Sequence, residues 1–111
     1  MTRVTLAGLT KALGRIRTLA AQQRVRFTMK ALRELAVVGL DWLDACEALE
    51  GLRSEDFIER LASERTGEWM YVFKPQIGAI TFYVKVVLRS ECLVISFHED
   101  EDDEDGEENG R

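Results

Sequence analysis

Tyr83, Lys85 and His98, which is the only histidine of the chain, lie on two apolar stretches that alternate with polar residues. If Ser90-Glu91 is the two-residue turn between these stretches, Tyr83 faces His98 across a hairpin. An imidazole has an ordinary pKa of about 6.5, so beside a phenol it can move protons near neutral pH. The pattern therefore predicts an acid-base site on one face of a sheet.

Cationic side chains complete this predicted surface. Arg89 ends the stretch that carries Tyr83 and Lys85, Lys74 ends the apolar stretch before it, and Arg60 precedes both in the chain. Lysine and arginine bind phosphate and stabilise the charge that develops when a phosphate is displaced. The residues thus predict phosphoryl chemistry, with Tyr83, His98 and Lys85 as catalytic residues and Arg60, Lys74 and Arg89 as phosphate ligands. In the alternative interpretation, the histidine is a tolerated polar residue at a strand end and the cations are simply solvated.

The predicted pairing also sets the core face of the hairpin. It aligns Leu88 with Leu93 and Val86 with Ile95, and it turns Phe97 to the same side. Those apolar side chains are expected to face the interior, which leaves Ser96 on the polar surface.

The preceding turn is predicted as a four-residue loop at residues 75–78. It aligns Met70 with Tyr83 and Tyr71 with Phe82. Met70 is accordingly expected beside the tyrosine on the polar surface.

The rest of the chain predicts an α+β fold in which N-terminal helices pack on one face of a C-terminal antiparallel sheet. After Gly67 the apolar period changes to two, which predicts three strands. Before it, cap and stop residues predict helices and one short edge strand. The helices are expected from Thr5 through Leu19, from Thr28 to Gly39, from Asp41 to Gly51, and from Ser54 through Leu61, with the edge strand at residues 24–27.

Charge divides the chain into two parts. The formal net charge is −5, but nine acidic residues lie between Glu99 and Glu108, while residues 1–97 carry 14 Lys and Arg against 11 Asp and Glu. Such an acidic run buries too little apolar surface to offset its ordering entropy. We therefore predict a single cationic domain at residues 1–98 and a disordered acidic tail at residues 99–111.

Cys46 and Cys92 lie among apolar neighbours and belong to no CxxC pair, so they are predicted to be buried free thiols. Two cysteines and one histidine do not make a structural zinc set, and no cofactor is predicted. No stretch approaches the roughly 20 apolar residues that span a bilayer, and no secretory signal is recognisable. The sequence predicts a soluble, cytoplasmic protein.

An ordered set of short motifs resembles the MqsR family of bacterial toxins over about residues 22–98. The motifs are Gly39-Leu40-Asp41-Trp42, Gly51-Leu52 followed by Ser54, Asp56 and Phe57, Trp69 through Lys74-Pro75, Phe82-Tyr83-Val84-Lys85, and Leu93-Val94-Ile95-Ser96-Phe97. The resemblance implies a RelE-like fold and a metal-independent endoribonuclease that cleaves mRNA. It also implies a cognate antitoxin that binds zinc and DNA.

The family's functional positions carry over only in part. Its strand tyrosine and lysine match Tyr83 and Lys85. Its helix lysine falls on Glu59, with Arg60 as a neighbouring replacement, its glutamine falls on Met70, and its last lysine falls on His98.

Two interpretations follow from these departures. In one, the site is rebuilt around His98, and the 2′-hydroxyl of RNA attacks the adjacent phosphorus to leave a 2′,3′-cyclic phosphate. In the other, nuclease activity is lost, and the domain binds RNA or a partner protein without cutting. The acidic tail likewise has two interpretations, as a solubilising segment or as a polyanion that competes with RNA for the cationic surface.

Overall fold

The computed structural model describes residues 4–101. Three α-helices precede most of a mixed sheet of six strands. The helices are α1 (Leu6–Ala21), α2 (Met29–Val37) and α3 (Trp42–Glu50), and the strands are β1 (Val25–Phe27), β2 (Phe57–Ala62), β3 (Trp69–Phe73), β4 (Gln76–Ile77), β5 (Ile80–Leu88) and β6 (Cys92–Glu99). The predicted α+β fold is confirmed.

The helix starts follow from side-chain caps that the sequence predicts. Thr5 and Thr28 each accept a hydrogen bond from a backbone N–H in the first turn, of α1 and α2 respectively. Asp41 and Asp44 form a reciprocal capping box at the start of α3. Such caps satisfy N–H groups that have no partner inside the helix. Gly39, just beyond the end of α2, has a φ of 75°, a left-handed conformation that favours glycine.

The sheet has the strand order β1-β6-β5-β3-β2, and β4 pairs with the start of β5. β1 lies at one edge of the sheet, as predicted, and runs parallel to β6, whereas the other pairings are antiparallel. The three predicted antiparallel strands are β3, β5 and β6, which confirms that part of the prediction. The sheet is larger than predicted, and it is mixed because β1 runs parallel to β6. The sequence pattern missed β2 and β4, and it gave no direction for β1.

The segment that was predicted as a fourth helix is a strand. Ser54–Asp56 forms one 3₁₀ turn, and β2 follows it directly and pairs with β3. The Asp56 carboxylate accepts the Arg53 backbone N–H at 2.9 Å, and the Asp56 carbonyl accepts the Lys74 N–H at 2.7 Å. These bonds fix the turn against the end of β3, so pairing with a neighbouring strand overrides local helix propensity.

The main core lies between the helices and one face of the sheet, which we call the core face. Ile16 of α1, Leu49 of α3 and Phe97 of β6 are all fully buried there. Cys46 and Cys92 are buried free thiols, which confirms their prediction, and burial raises the pKa of Cys92 to about 12. No helix among residues 4–101 is long and apolar enough to cross a membrane.

The folded part extends past His98. Glu99 is the last residue of β6, and Asp100 is buried and donates its N–H to the Thr81 carbonyl at 2.9 Å. Ordered structure thus includes the first residues of the segment predicted as a tail. Residues 102–111 of that predicted tail lie outside the described residues.

Candidate active site

Tyr83 and His98 lie side by side on the face of the sheet opposite the core, which we call the site face. They are directly opposite each other in the β5–β6 ladder, as predicted. Their ring centroids are 5.1 Å apart and the ring planes differ by 11°, so the rings stack. Both side chains are half-buried. An imidazole and a phenol are thus held together where a ligand can reach them.

One hydrogen bond sets the tautomer of His98. Its Nδ1 atom lies 2.8 Å from the backbone carbonyl oxygen of Glu99. A carbonyl oxygen can only accept a hydrogen bond, so Nδ1 carries the proton. In the neutral ring this leaves Nε2 as the nitrogen that can accept a proton from a substrate.

Lys85 supplies positive charge next to this pair. It lies two residues from Tyr83 on the same strand face, and its Nζ atom is 6.0 Å from the tyrosine ring centroid. Within residues 4–101 no carboxylate forms an ion pair with Lys85. Its ammonium group is therefore available for an anionic ligand.

A β-bulge in β6 lies between these polar side chains and the turn that joins β5 to β6. Lys85 pairs with Ser96, but the next pair is Val86 with Val94, so Ile95 is an extra residue on β6. The predicted pairs of Val86 with Ile95 and of Leu88 with Leu93 were therefore wrong.

The bulge also changes which residues of β6 face the core. Val94, Cys92 and Phe97 are buried there, whereas Leu93 and Ile95, which were predicted on the core face, are only half-buried. The stretch that forms β6 is apolar at nearly every position, so its alternation could not identify the extra residue.

Lys74 lies at the same end of the sheet. It follows Phe73, which pairs with Val84, so its backbone runs beside Tyr83. Its Nζ atom lies 3.3 Å from Oδ2 of the buried Asp100. Lys74 is thus brought to the site, where it also fixes the end of β6.

The sequence analysis missed a third lysine and a glutamate at this site. Lys30 of α2 donates to Ser96 Oγ at 3.0 Å and forms an ion pair with Glu34 Oε2 at 2.8 Å. The other Glu34 oxygen accepts the Phe97 N–H at 2.8 Å. This bond lies on the same edge of β6 as β1, past the residues 92–94 that β1 pairs with. The i, i+4 spacing of Lys30 and Glu34 on a predicted helix was visible, but nothing in the sequence placed that helix against β6.

Burial acts to raise the pKa of Glu34, but the hydrogen bonds from Lys30 and Phe97 and the charges of Lys30 and His98 hold it below its ordinary value of 4.5. A cavity of about 380 Å³ lies beside His98 and is lined by Lys30, Glu34, Val37, Val38 and Glu101. Glu34 therefore remains an ionised acceptor at the wall of this cavity.

The shifted pKa of Glu34 gives a testable pH dependence. Because this pKa is lower in the folded chain than in the unfolded chain, ionised Glu34 stabilises the fold above pH 4.5, and this contribution is lost as the pH falls through the folded-state value. We expect Glu34→Gln to lower the urea midpoint at neutral pH and to reduce the loss of stability on acidification to about pH 3. Glu47→Gln, an exposed change on α3, serves as the control. Equal acid sensitivity of Glu34→Gln and the unaltered protein would contradict this role.

Arg60 does not join the site. Its Cα pairs with Tyr71, which packs against the core, so Arg60 projects from the core-face side of β2. Its guanidinium lies 3.8 Å from the ring centroid of Trp69. Glu59 pairs with Val72, which in turn pairs with Lys85, and so it is Glu59 that shares the site face.

Arg89 lies at the other end of the hairpin. It is six residues from Tyr83, a distance of about 20 Å along the strand. It donates to both carboxylate oxygens of Glu68, at 2.8 and 2.7 Å, and this is the main cause that lowers the pKa of Glu68 to about 2. Arg89 is therefore not among the residues that surround Tyr83 and His98.

Met70 also lies away from the stacked rings. The β3–β5 register pairs Met70 with Val87 and Tyr71 with Val86, so the predicted pairs with Tyr83 and Phe82 were wrong. β4 and the start of β5 extend the turn at residues 76–81, which shifts the register by four residues from a simple four-residue loop. Met70 is on the site face, but about 13 Å along the sheet from Tyr83.

The fold and this site define an α+β protein with helices on one face of its sheet and a cationic surface carrying histidine and tyrosine on the other. The family model described as motility quorum-sensing regulator, toxin of MqsA, matches residues 10–99. The chain belongs to this family, as the sequence motifs implied.

One similar protein supports the same assignment. The chain is 29% identical over 89 residues to a protein of Escherichia coli (strain K12) named mRNA interferase toxin MqsR. The match covers 78% of this chain and 90% of that protein. The match thus spans most of both proteins, and the family match at residues 10–99 includes the strands that carry Tyr83, Lys85 and His98.

Proposed function

We propose that the protein is the toxin of a toxin-antitoxin pair and acts as an endoribonuclease on mRNA. The observation that carries this proposal is the stacked pair of Tyr83 and His98 beside Lys85 on the site face. The family and the name of the E. coli relative support mRNA as the substrate.

In the proposed reaction, the 2′-hydroxyl of a nucleotide attacks the adjacent phosphorus. A new O2′–P bond forms as the P–O5′ bond breaks, which gives a 2′,3′-cyclic phosphate and a free 5′-hydroxyl. One proton leaves the 2′-oxygen and one is delivered to the departing 5′-oxygen. His98, through Nε2, and Tyr83 carry these two transfers, while Lys85 holds the phosphate and stabilises its developing charge.

This mechanism uses no metal ion. Its support is the nucleophile, which the RNA itself supplies, and an imidazole that can accept the proton of that nucleophile. Within residues 4–101, no three or more His, Cys, Asp or Glu side chains are grouped so that they could hold a metal. The activity is therefore expected to persist in EDTA.

A defined single-stranded RNA tests the proposal. The purified protein should cut it in EDTA and leave cyclic phosphate and 5′-hydroxyl ends, and a 2′-deoxy nucleotide placed at the cut position should abolish that cut. Uncut RNA at high protein concentration, or products with 3′-hydroxyl ends, would refute the mechanism.

The second candidate function is an RNA- or protein-binding module without nuclease activity. Glu59 favours it, because a carboxylate lies on the site face at the position where the family's pattern has a lysine. Binding of the same RNA with no cyclic phosphate product would establish this function instead.

The partner we propose is a cognate antitoxin, and the family description, toxin of MqsA, supports this. The resemblance of the motifs further implies that this antitoxin binds zinc and DNA. We expect the neighbouring gene to encode a small protein with two CxxC pairs. We also expect that protein to inhibit RNA cleavage. A neighbouring protein of that kind that neither binds nor inhibits would refute the partnership.

We also propose self-inhibition by the acidic residues at 102–111, a hypothesis that rests on their sequence alone. A tethered polyanion competes with RNA for a cationic surface at low salt. Deletion of residues 102–111 should then strengthen RNA binding at low salt and change it little at high salt. An unchanged affinity at low salt would leave the tail only a solubilising role.

A further inference from the structure

A second cavity lies on the sheet away from Tyr83 and His98. Its volume is about 390 Å³, and it is formed where β1 meets the turn between β5 and β6. Its lining residues are Arg26, Phe27, Arg89, Ser90, Glu91 and Leu93. Arg26 is the most exposed of the charged side chains in this lining, with 74% of its side chain accessible.

The strand register connects this cavity to the site face. Leu93 pairs with Val87 on one side and with Arg26 on the other. Val87 lies two residues from Lys85 on the same face of β5, so Leu93 and Arg26 project from the site face as well. Along β6, Leu93 is five residues from His98, a distance of about 16 Å.

Cations line the path between the two places. Residues 4–33 contain seven Lys and Arg and no acidic residue. From this segment β1 and α2 place Arg26 beside Leu93 and Lys30 beside Ser96, so that both follow β6. Lys85 and His98 continue the same line into the site.

The charges at the cavity allow an incoming anion to bind. Arg89 is held in a bidentate pair with Glu68, and the Arg15 Nη2 donates to the Arg89 carbonyl at 2.6 Å, so this wall is fixed. Arg26 instead makes a single contact with Glu91 at 3.7 Å between exposed groups. Such a contact is weak and exchanges readily for another anion.

We propose that the Arg26 cavity is a distal subsite for the single-stranded RNA substrate. Arg26 binds a backbone phosphate there, about three nucleotides from the bond that is cut at Tyr83 and His98. The half-buried Leu93 side chain gives the adjoining base an apolar surface. This inference rests on the proposed nuclease function, and it names where the substrate runs on the protein.

RNAs of two lengths distinguish binding at this subsite from binding at the catalytic residues, because only the longer RNA can reach both. Binding is measured by fluorescence anisotropy with 2′-O-methyl RNA, which lacks the nucleophile, in lengths of about ten and about three nucleotides. Arg26→Ala should weaken binding of the long RNA about fivefold and lower the slope of log affinity against log salt by about 0.7 to 1. Binding and cleavage of the short RNA should not change.

Lys11→Ala is the matched control, because it removes one exposed positive charge from α1, which packs on the core face. It should leave the affinity for both RNAs and the salt slope unchanged. Arg26→Lys should retain most of the affinity for the long RNA, since a phosphate accepts either cation.

Two results would overturn the subsite alone: RNA cleavage by the unaltered protein with no effect of Arg26→Ala on the long RNA, or equal losses for both lengths. Failure of the unaltered protein to bind any RNA would overturn both the subsite and the proposed function.

Discussion

We expect His98→Ala to lower the rate of RNA cleavage by about a hundred- to ten-thousandfold, which is the usual contribution of a general acid or base. The change removes Nε2 but leaves Tyr83 and Lys85 in place on the site face. The fold should persist because the His98 ring is only half-buried and is not part of the hydrophobic core. The measurement is single-turnover cleavage of a defined RNA, with thermal unfolding of the variant measured in parallel.

The variant His98→Lys distinguishes proton transfer from a structural role. It places here the residue that the family's pattern has, with an ordinary pKa of about 10.4 against about 6.5 for histidine. Partial recovery of cleavage with a pH optimum displaced upward would show that the side chain moves a proton. Full activity of His98→Ala, or an unaltered pH profile in His98→Lys, would remove His98 from the mechanism.

Local sequence signals predicted the helical half of this fold well. Thr5, Thr28 and Asp41 begin helices because each can accept a backbone N–H with its own side chain, a bond that involves only neighbours in the chain. Residues 57–62 were mistaken for a helix because their strand is defined by pairing with β3, which lies later in the chain. Local patterns do not contain such long-range pairings.

The same distinction between local signals and long-range pairing explains which residues of the site were predicted. Tyr83 was correctly paired with His98 although the turn between their strands has three residues, 89–91, and the prediction of two was wrong. The bulge at Ile95 adds one residue to β6 between that turn and His98, and this offsets the longer turn. Arg60 was misplaced because the register of β2 was not predictable, and Lys30 was missed because its helix reaches β6 only through tertiary packing. The sequence therefore placed the stacked pair together with Lys85 and Lys74, but it did not give the positions of Arg60, Arg89 and Lys30.

Phe97→Ala should destabilise the fold by about 3–5 kcal/mol, the usual cost of removing a buried aromatic side chain. Phe97 is fully buried, and its ring centroid lies 5.6 Å from that of Phe82. Because successive side chains of a strand point to opposite faces, the buried Phe97 ring also keeps its neighbours Ser96 and His98 on the site face. We expect a lower urea midpoint at neutral pH and, in the fraction that folds, a loss of cleavage activity.

Two further variants separate packing from the general effect of substitution. Phe97→Leu keeps much of the buried volume, so it should recover most of the stability and keep His98 on the site face. Leu6→Ala removes a side chain that is 78% exposed and should change the free energy of unfolding by less than about 0.5 kcal/mol. A loss below about 1 kcal/mol for Phe97→Ala would mean that the bulge and the Glu34 bond to the Phe97 N–H hold this strand without the ring. The orientation of His98 would then depend on the backbone of β6 and on α2, and no longer on the core.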